Sequence, residues 1–100
     1  MIKMLIEMDQ EKIEREQKYD IKKIESYLDD IFSQANAYKD TEGYYTNGTF
    51  ESFGAIIWHL RELEWFLPNV KKWLWLNSDS TGDPKNFEVE DVANHYKNRR

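Results

Sequence analysis

The stretch that decides the fold is Val70-Lys-Lys-Trp-Leu-Trp-Leu-Asn77, where large apolar side chains fill every position from 73 to 76. Successive side chains of a strand point to opposite faces of a sheet. The stretch therefore predicts a strand with Trp73 and Trp75 on one face and Leu74 and Leu76 on the other. Since both faces are apolar, we expect both to be covered.

The opening residues predict a second strand. Ile2, Met4, Ile6 and Met8 recur at every second position, with Lys3 and Glu7 among the residues between them. A period of two is typical of a strand that buries one face against a core. A short helical turn capped by Asp9 is expected to follow.

Two segments carry apolar residues at the spacing of an amphipathic helix. The first starts after Asp20, which we expect to be its N-cap, and should stop near Asn36. Its apolar positions are Ile21, Ile24, Leu28, Ile31 and Ala35. The second runs from about Phe50 to Glu64. Gly54 lies inside it, which we interpret as a close approach of this helix to the sheet.

Between the two helices, Ala37-Tyr38-Lys39 and Tyr44-Tyr45-Thr46 flank a turn that ends at Gly43 and predict a hairpin. After Asn77 comes a loop rich in turn residues. A last amphipathic helix is expected beyond it, with Phe87, Val89, Val92, Ala93 and Tyr96 on its apolar face.

The predicted order is strand, helix, hairpin, helix, strand, helix. The first six elements match the β-α-β-β-α-β order of ferredoxin-like folds. We therefore expect an α+β protein, a single domain over residues 1–100, with a four-stranded antiparallel sheet and an added C-terminal helix. Its main helices would cover one face, leaving Trp73 and Trp75 on the other. The C-terminal helix is the favoured cover for that open face; a second copy or a foreign partner is the alternative.

Composition narrows the class of protein. One hundred residues suffice for one core, and the absence of cysteine excludes disulfides and thiolate metal sites. The net charge of −5 opposes binding to nucleic acid or to an anionic membrane. No apolar run approaches the ~20 residues needed to cross a bilayer. We expect a cytoplasmic protein without nucleic-acid or membrane partners.

One stretch imitates an EF-hand calcium loop. Its oxygen-bearing positions are Asn77, Asp79, Thr81, Asp83 and Glu88, and Gly82 stands where the sharp turn would be. The amide at the first position, Pro84 and the strand that leads in all oppose this interpretation. An ordinary acidic turn before a helix is favoured, so we expect no metal and no cofactor.

The sequence offers little evidence for catalysis. No G-x-S-x-G nucleophile motif and no glycine-rich phosphate loop is present. His59 and Glu62 share a helix surface, and with Glu64 they are the only residues we nominate for acid–base work. A solvated helix face is the favoured interpretation. A small enzyme or ligand-binding domain, with a cleft between sheet and helices, remains the alternative.

The aromatic content is the main functional clue. Four Trp, five Phe and six Tyr exceed what one small core readily hides, and Trp and Tyr dominate protein interfaces. The candidates for binding a protein are Tyr44, Tyr45, Trp65, Trp73 and Trp75. We expect a noncatalytic module that binds another protein, either as a homodimer or as an acidic inhibitor or immunity-type partner. RNA is disfavoured because the first strand lacks aromatic residues and the charge is acidic.

Several short segments, spread over most of the chain, are similar in sequence to segments of a known group of proteins. They are Ile2–Asp9, Tyr27–Asp30, Trp65-Phe66, Trp73–Asp79 and Phe87–Val92. With them the chain resembles small proteins encoded on integrative and conjugative elements of Gram-positive bacteria. The resemblance implies a bacterial, cytoplasmic accessory protein of a mobile element. It assigns no site residues.

Overall fold

The computed structural model describes residues 1–78, 81–83 and 85–97. Strands and helices are mixed along the chain, which makes the protein α+β. The elements are β1 (Ile2–Met8), α1 (Gln10–Glu16), α2 (Ile21–Gln34), β2 (Tyr38–Lys39), β3 (Tyr45–Thr46), α3 (Phe50–Glu62), α4 (Phe66–Asn69), β4 (Val70–Asn77), β5 (Glu88–Asp91) and α5 (Val92–Lys97).

The strands form one antiparallel sheet in the order β2-β3-β1-β4-β5. β1 lies at its centre. It pairs with β4 along its whole length, and a bulge between Glu7 and Met8 shifts the register near one end. It meets β3 at a single pair, Met4 with Tyr45. The sheet is therefore held together mainly by the β1–β4 ladder.

The starts of α1 and α2 and the end of α2 lie where the sequence predicts. The Asp9 carboxylate accepts from the backbone N–H of Lys12 at the start of α1, and the Asp20 carboxylate accepts from that of Lys22 at the start of α2. Each cap satisfies a backbone donor that the first turn leaves unpaired. Asn36 has a φ of 59°, the left-handed conformation that ends α2. These predictions are confirmed.

Residues 88–91 differ from the prediction. They form strand β5 instead of the first turn of the last helix, so the sheet contains five strands where four were expected. β5 pairs with the outer edge of β4, for example Leu74 with Asp91 and Leu76 with Val89. The pairing satisfies a row of backbone groups that β4 would otherwise expose.

The positions of the indoles correct a central expectation. Residues directly opposite each other in an antiparallel ladder point to the same face. Met4 lies opposite both Tyr45 and Trp75, and all three share their face with Trp73. Trp73 is 0% exposed and donates its indole N–H to the Met4 sulfur at 3.2 Å. The two indoles therefore point toward the helices, and the prediction that they mark the open face is wrong.

The inner face of the sheet, meaning the face that carries Met4, Tyr45 and Trp73, holds the core. Tyr45 stacks on Phe32 of α2 with ring centroids 3.8 Å apart. Phe66 of α4 meets Trp73 edge to face at 4.9 Å. Helices α2 and α4 are thereby fixed on one side of the sheet.

Helix α5 packs on this same side. Val92 and Ala93 are buried in the core, and the ring of Tyr96 lies 6.0 Å from that of Trp73. The expectation that the C-terminal helix covers the open face is therefore wrong. Asp91, the last residue of β5, points to the outer face, and Val92, the first residue of α5, is buried on the helix side.

The close contact expected at Gly54, inside α3, is found instead at Gly48, just before this helix. A Cβ at Gly54 would meet nothing within 4 Å, so the predicted close approach of helix to sheet at this point is wrong. A Cβ at Gly48 would lie 2.4 Å from the ring of Phe53, which is fully buried. The tight contact is therefore at the entrance of α3.

Within the described residues, no helix combines the length and the apolar character that crossing a membrane requires.

Candidate functional site

The outer face of the sheet, opposite the inner face, is the largest feature that the helices leave open. Strand alternation places on it Lys3, Leu5, Glu7, Lys72, Leu74, Leu76, Val89 and Asp91. Leu5 pairs with Leu74, and Leu76 pairs with Val89, so the apolar side chains are neighbours. The three leucines are half-buried and Val89 is 58% exposed.

These four apolar residues lie outside the hydrophobic core. None of them belongs to the cluster of buried residues or packs against it, within the part of the chain that the structure describes. Their partial burial therefore comes from one another and from the neighbouring strands. No described helix lies over them, because all five helices contribute buried side chains to the core, which lies on the inner face.

One end of the outer face is built around Lys3. Its ammonium lies 5.7 Å from the centre of the Tyr44 ring and 5.5 Å from that of Phe87. It also pairs with the Asp40 carboxylate at 3.9 Å. Cation–π contacts of this kind hold aromatic rings beside a lysine stem. Lys3 thus holds two half-buried rings at one end of the leucine patch, meaning the group formed by Leu5, Leu74 and Leu76.

The charges on the outer face balance. Lys3 and Lys72 oppose Glu7 and Asp91, whereas the whole chain carries a net charge of −5. Glu7 also pairs with the exposed Lys71 at 3.9 Å, and both side chains stay well solvated. The excess acid therefore lies elsewhere on the molecule.

The structure separates the aromatic residues that the sequence nominates. Tyr45 and Trp73 are buried in the core and unavailable to a partner. Trp75 is half-buried and packs against Phe50 of α3, with centroids 5.3 Å apart. Tyr44 lies at the end of the outer face. Trp65 packs beside Tyr19 and Tyr27, away from the outer face, so the five do not form one site.

The aliphatic residues of the outer face are the surface that the sequence reasoning missed. Leu5 is the one apolar residue among the outward-facing positions of β1, and Leu74 and Leu76 each follow an indole of β4. The signal was present, because the polar Lys3 and Glu7 show which face of β1 points to solvent. Which residues of β4 share that face follows only from the register in which β4 pairs with β1.

Tyr45 makes the strongest polar contact beneath the helices. Its hydroxyl donates to the Asp29 carboxylate at 2.6 Å. Burial of the phenol raises the pKa of Tyr45 far above its usual value, and the hydrogen bond to the nearby anion raises it further. Lys39 lies 5.3 Å from the ring and pairs with Asp29 at 3.9 Å. This phenol is a structural donor held in its neutral form.

An aromatic cavity lies beside the connection between α1 and α2. Trp65 meets Tyr27 edge to face with centroids 5.6 Å apart, and Tyr19 lies 6.3 Å from the same indole. The Tyr27 hydroxyl and the His59 Nε2 are hydrogen-bonded at 2.8 Å. His59 therefore supports the wall of this cavity.

The nominated acid–base pair does not assemble. Glu62 accepts from the Arg61 guanidinium at 3.0 Å, while His59 bonds to Tyr27. The guanidinium of Arg61 also lies over the Trp58 ring at 3.8 Å. Glu64 is exposed in the turn after α3. These residues therefore offer no shared proton site.

The calcium-loop candidates lie on a connection between two antiparallel strands. Asn77 and Glu88 face each other in the β4–β5 ladder. The Thr81 hydroxyl lies 2.6 Å from the Asn86 carbonyl oxygen and 2.8 Å from that of Ser78, and can donate to either. Asp79 lies outside the described residues. The Asp83 carboxylate accepts from the Lys85 backbone N–H. Among the described residues, no group of three His, Asp or Glu side chains is placed to hold a metal ion.

No protein-family model matches the chain, and neither a curated protein nor a solved structure matches it. Function must therefore be inferred from the surfaces of the molecule itself.

Proposed function

We propose that this chain is a noncatalytic protein-binding module whose outer sheet face binds a second copy of itself. One observation carries the proposal: Leu5, Leu74 and Leu76 lie together on a sheet face that no described helix covers. Contiguous apolar surface of this kind usually marks an interaction site. Two sheets packed face to face would bury it in a layer about 10 Å thick.

The charge pattern favours a second copy over a foreign basic partner. Two acidic chains repel each other over most of their surfaces, but the outer face itself is neutral. A basic partner would gain nothing from a neutral face and would be drawn to the acidic remainder of the surface. The least repulsive contact between two copies is therefore outer face to outer face.

The placement of the charges also suits a two-fold axis. Lys3 and Glu7 flank Leu5 on one face of β1, each two residues away. Consider a two-fold axis that lies between the two sheets, perpendicular to the strands, and passes over Leu5. It would bring Lys3 of each copy opposite Glu7 of the other. Closed two-fold dimers are the commonest homo-oligomers, and their interfaces must be self-complementary in this way.

We also infer that β1 to β4, with α2 and α3, form a ferredoxin-like unit. The antiparallel order β2-β3-β1-β4 supports this, with α2 between β1 and β2 in the chain and α3 between β3 and β4. β5 then extends the sheet beyond β4. A cytoplasmic role on a bacterial mobile element, which the resemblance implies, stays a prediction, as does the acidic inhibitor.

Sedimentation equilibrium over a range of concentrations tests the dimer. We expect the mass of the native chain to rise from monomer to dimer as its concentration rises. In Leu74→Glu, two carboxylates would be buried against each other, and we expect this variant to stay monomeric. Burying such a charge without a partner costs several kcal/mol, on the order of 3–5.

Trp58→Glu is the matched control. Trp58 is 59% exposed on α3, on the helix side, so the same charge there should leave dimerisation unchanged. Circular dichroism should show that both variants are folded. A native chain that remains monomeric throughout would contradict the proposal. So would a Leu74→Glu variant that dimerises as the native chain does.

A further inference from the structure

The aromatic cavity beside the α1–α2 connection has the size of a small-molecule site. Its volume is about 610 Å³, and it is open to solvent. Natural ligand pockets measure roughly 300–1,000 Å³ and are lined by apolar and aromatic groups with a few polar ones. Three rings and three charged side chains line this one: Tyr19, Tyr27, Trp65, Lys18, Asp20 and Lys23.

The rings present differently oriented surfaces to the cavity. Tyr27 meets Trp65 at an interplanar angle of 70°, and Tyr19 is tilted by 41° to the same indole. Behind them, the His59 hydrogen bond fixes Tyr27, and Phe66 packs edge to face against Trp65 at 6.0 Å. A flat ligand ring can therefore contact faces and edges of aromatic walls, of which Tyr27 and Trp65 are held in place by contacts behind them.

The charges of the lining select an anion. Lys18 and Lys23 both line the cavity, and neither forms an ion pair with any described residue. The Asp20 carboxylate, the one acid of the lining, accepts from the Lys22 backbone N–H at 2.9 Å as the cap of α2. An ammonium ligand would meet two lysines and one carboxylate, so the net charge of the lining disfavours the cation that aromatic walls alone would favour.

We propose that this cavity binds a small planar aromatic anion, with its ring against Tyr19, Tyr27 and Trp65 and its carboxylate or phosphate at Lys18 and Lys23. This site is separate from the outer face of the sheet. It lies on the helix side, and its lining shares no residue with the leucine patch. Ligand binding and dimerisation should therefore be independent of each other.

Four probes separate the two parts of the proposal. AMP and 4-hydroxybenzoate combine an aromatic ring with an anionic group, adenosine has the ring without the charge, and ribose 5-phosphate has the charge without the ring. Titrations would follow the indole N–H signals of the tryptophans by NMR, with Trp65→Phe identifying the Trp65 signal. The monomeric Leu74→Glu variant would be used alongside the native chain.

We expect AMP, 4-hydroxybenzoate or both to shift the Trp65 signal to saturation in both proteins. Adenosine and ribose 5-phosphate should each bind about 10-fold more weakly than the better of the two, since each lacks one half of the recognition. Saturation by AMP alone assigns a phosphate to the site, and saturation by 4-hydroxybenzoate alone assigns a carboxylate.

The Lys18→Gln/Lys23→Gln double variant tests the role of the charges. It should weaken binding of the anions about 5- to 10-fold and leave the weak binding of adenosine unchanged. Lys71→Gln removes an exposed lysine of β4 and is the control, for which we expect unchanged binding. The proposal is overturned if neither anion shifts Trp65, or if Lys71→Gln weakens binding as much as the double variant does.

Discussion

The inner and outer faces of the sheet are built from alternate residues of the same strands, yet they differ completely in what covers them. On the inner face, Met4, Tyr45 and Trp73 are almost fully buried under helices. On the outer face, Leu5 and Leu74 pair with each other and lie outside the core. A single strand such as β4 therefore contributes an indole to the core and, one residue later, a leucine to the surface.

The size and hydrophobicity of a side chain do not by themselves decide whether it points to the buried face of this sheet. Trp75 and Leu76 are adjacent and both strongly apolar, but only Trp75 packs against the core. The cross-strand partners decide, because Trp75 lies opposite Met4 while Leu76 lies opposite Lys3. The apolar side chains on the other side of the sheet are left uncovered by the described helices, and the proposed dimer rests on this difference.

The largest contrast between the faces is expected from Trp73→Ala and Leu74→Ala. Trp73→Ala leaves a cavity in the middle of the core and should lower the free energy of unfolding by ~3–5 kcal/mol. Leu74→Ala removes a half-buried side chain and should cost less than ~1 kcal/mol in the monomer. Urea unfolding followed by circular dichroism measures both. Equal losses would show that the two faces are buried alike.

A second contrast concerns two glycines near the inner face. In Gly48→Ala, the new methyl group must displace the ring of Phe53, which packs edge to face on Phe32, and we expect a loss of ~1–3 kcal/mol. In Gly54→Ala, the new methyl group on α3 meets no other atom within 4 Å. Because alanine favours the helix more than glycine does, we expect the free energy of unfolding to rise by ~0.5–1 kcal/mol. Thermal unfolding of the two variants should shift in opposite directions. If Gly54→Ala proved less stable than the native chain, the side of α3 that carries Gly54 would have to be packed against the core.

A smaller effect is expected from the polar contact on the inner face. Tyr45→Phe removes the hydrogen bond to Asp29 and should cost ~1 kcal/mol near neutral pH. Burial raises the pKa of Tyr45 in the folded state, so below pH ~10 the phenol is protonated in both states and stability is intact. Above pH ~10 only the unfolded chain releases this proton, and stability falls as the pH rises.

The pH dependence of unfolding separates this contribution from those of the other tyrosines. The native chain should lose more stability between pH 9 and pH 11 than Tyr45→Phe does. Tyr38→Phe is the matched control, since Tyr38 is exposed and its ring lies outside the core. If native and Tyr45→Phe proteins lost stability equally at alkaline pH, the buried neutral phenol would be ruled out.

The smallest change in stability is expected for a charge on the outer face of the isolated monomer. Leu74→Glu should alter the free energy of unfolding at low protein concentration by only ~1 kcal/mol or less, because the new carboxylate stays in water. Its effect should grow with concentration as the native chain gains stability from dimerisation and the variant does not. Thermal unfolding at low and high concentration measures the difference.

Most of the fold could be predicted from the sequence because its periodicities are local. The apolar spacing of residues 21–35, the caps Asp9 and Asp20, and the left-handed stop at Asn36 each report on a few neighbouring residues. Residues 88–91 could not be assigned in this way. The run has the alternation of a strand and also continues into a helical pattern. The unpaired edge of β4, remote in sequence, decides in favour of the strand.

The two surfaces proposed to bind were harder to predict because they depend on register and on distant contacts. The face of β4 that points outward follows from the pairing of Glu7 with Lys72 and of Lys3 with Leu76, which the sequence does not encode locally. The aromatic cavity joins Tyr19 to Trp65, from opposite sides of the β2–β3 hairpin in the chain. Tertiary packing alone brings these two rings together.

The accessibility of leucine methyl groups to a soluble paramagnetic probe shows most directly whether the outer face is open in the monomer and covered in the dimer. In dilute solution, we expect the probe to broaden the NMR signals of Leu5, Leu74 and Leu76 while Leu28 and Leu60, which are buried in the core, stay sharp. At high concentration, the outer-face signals should become protected as the dimer forms. If Leu74 and Leu76 are as protected as Leu60 in dilute solution, the outer face is covered within one chain and the account is wrong. If they stay exposed at every concentration, the face does not bind a second copy.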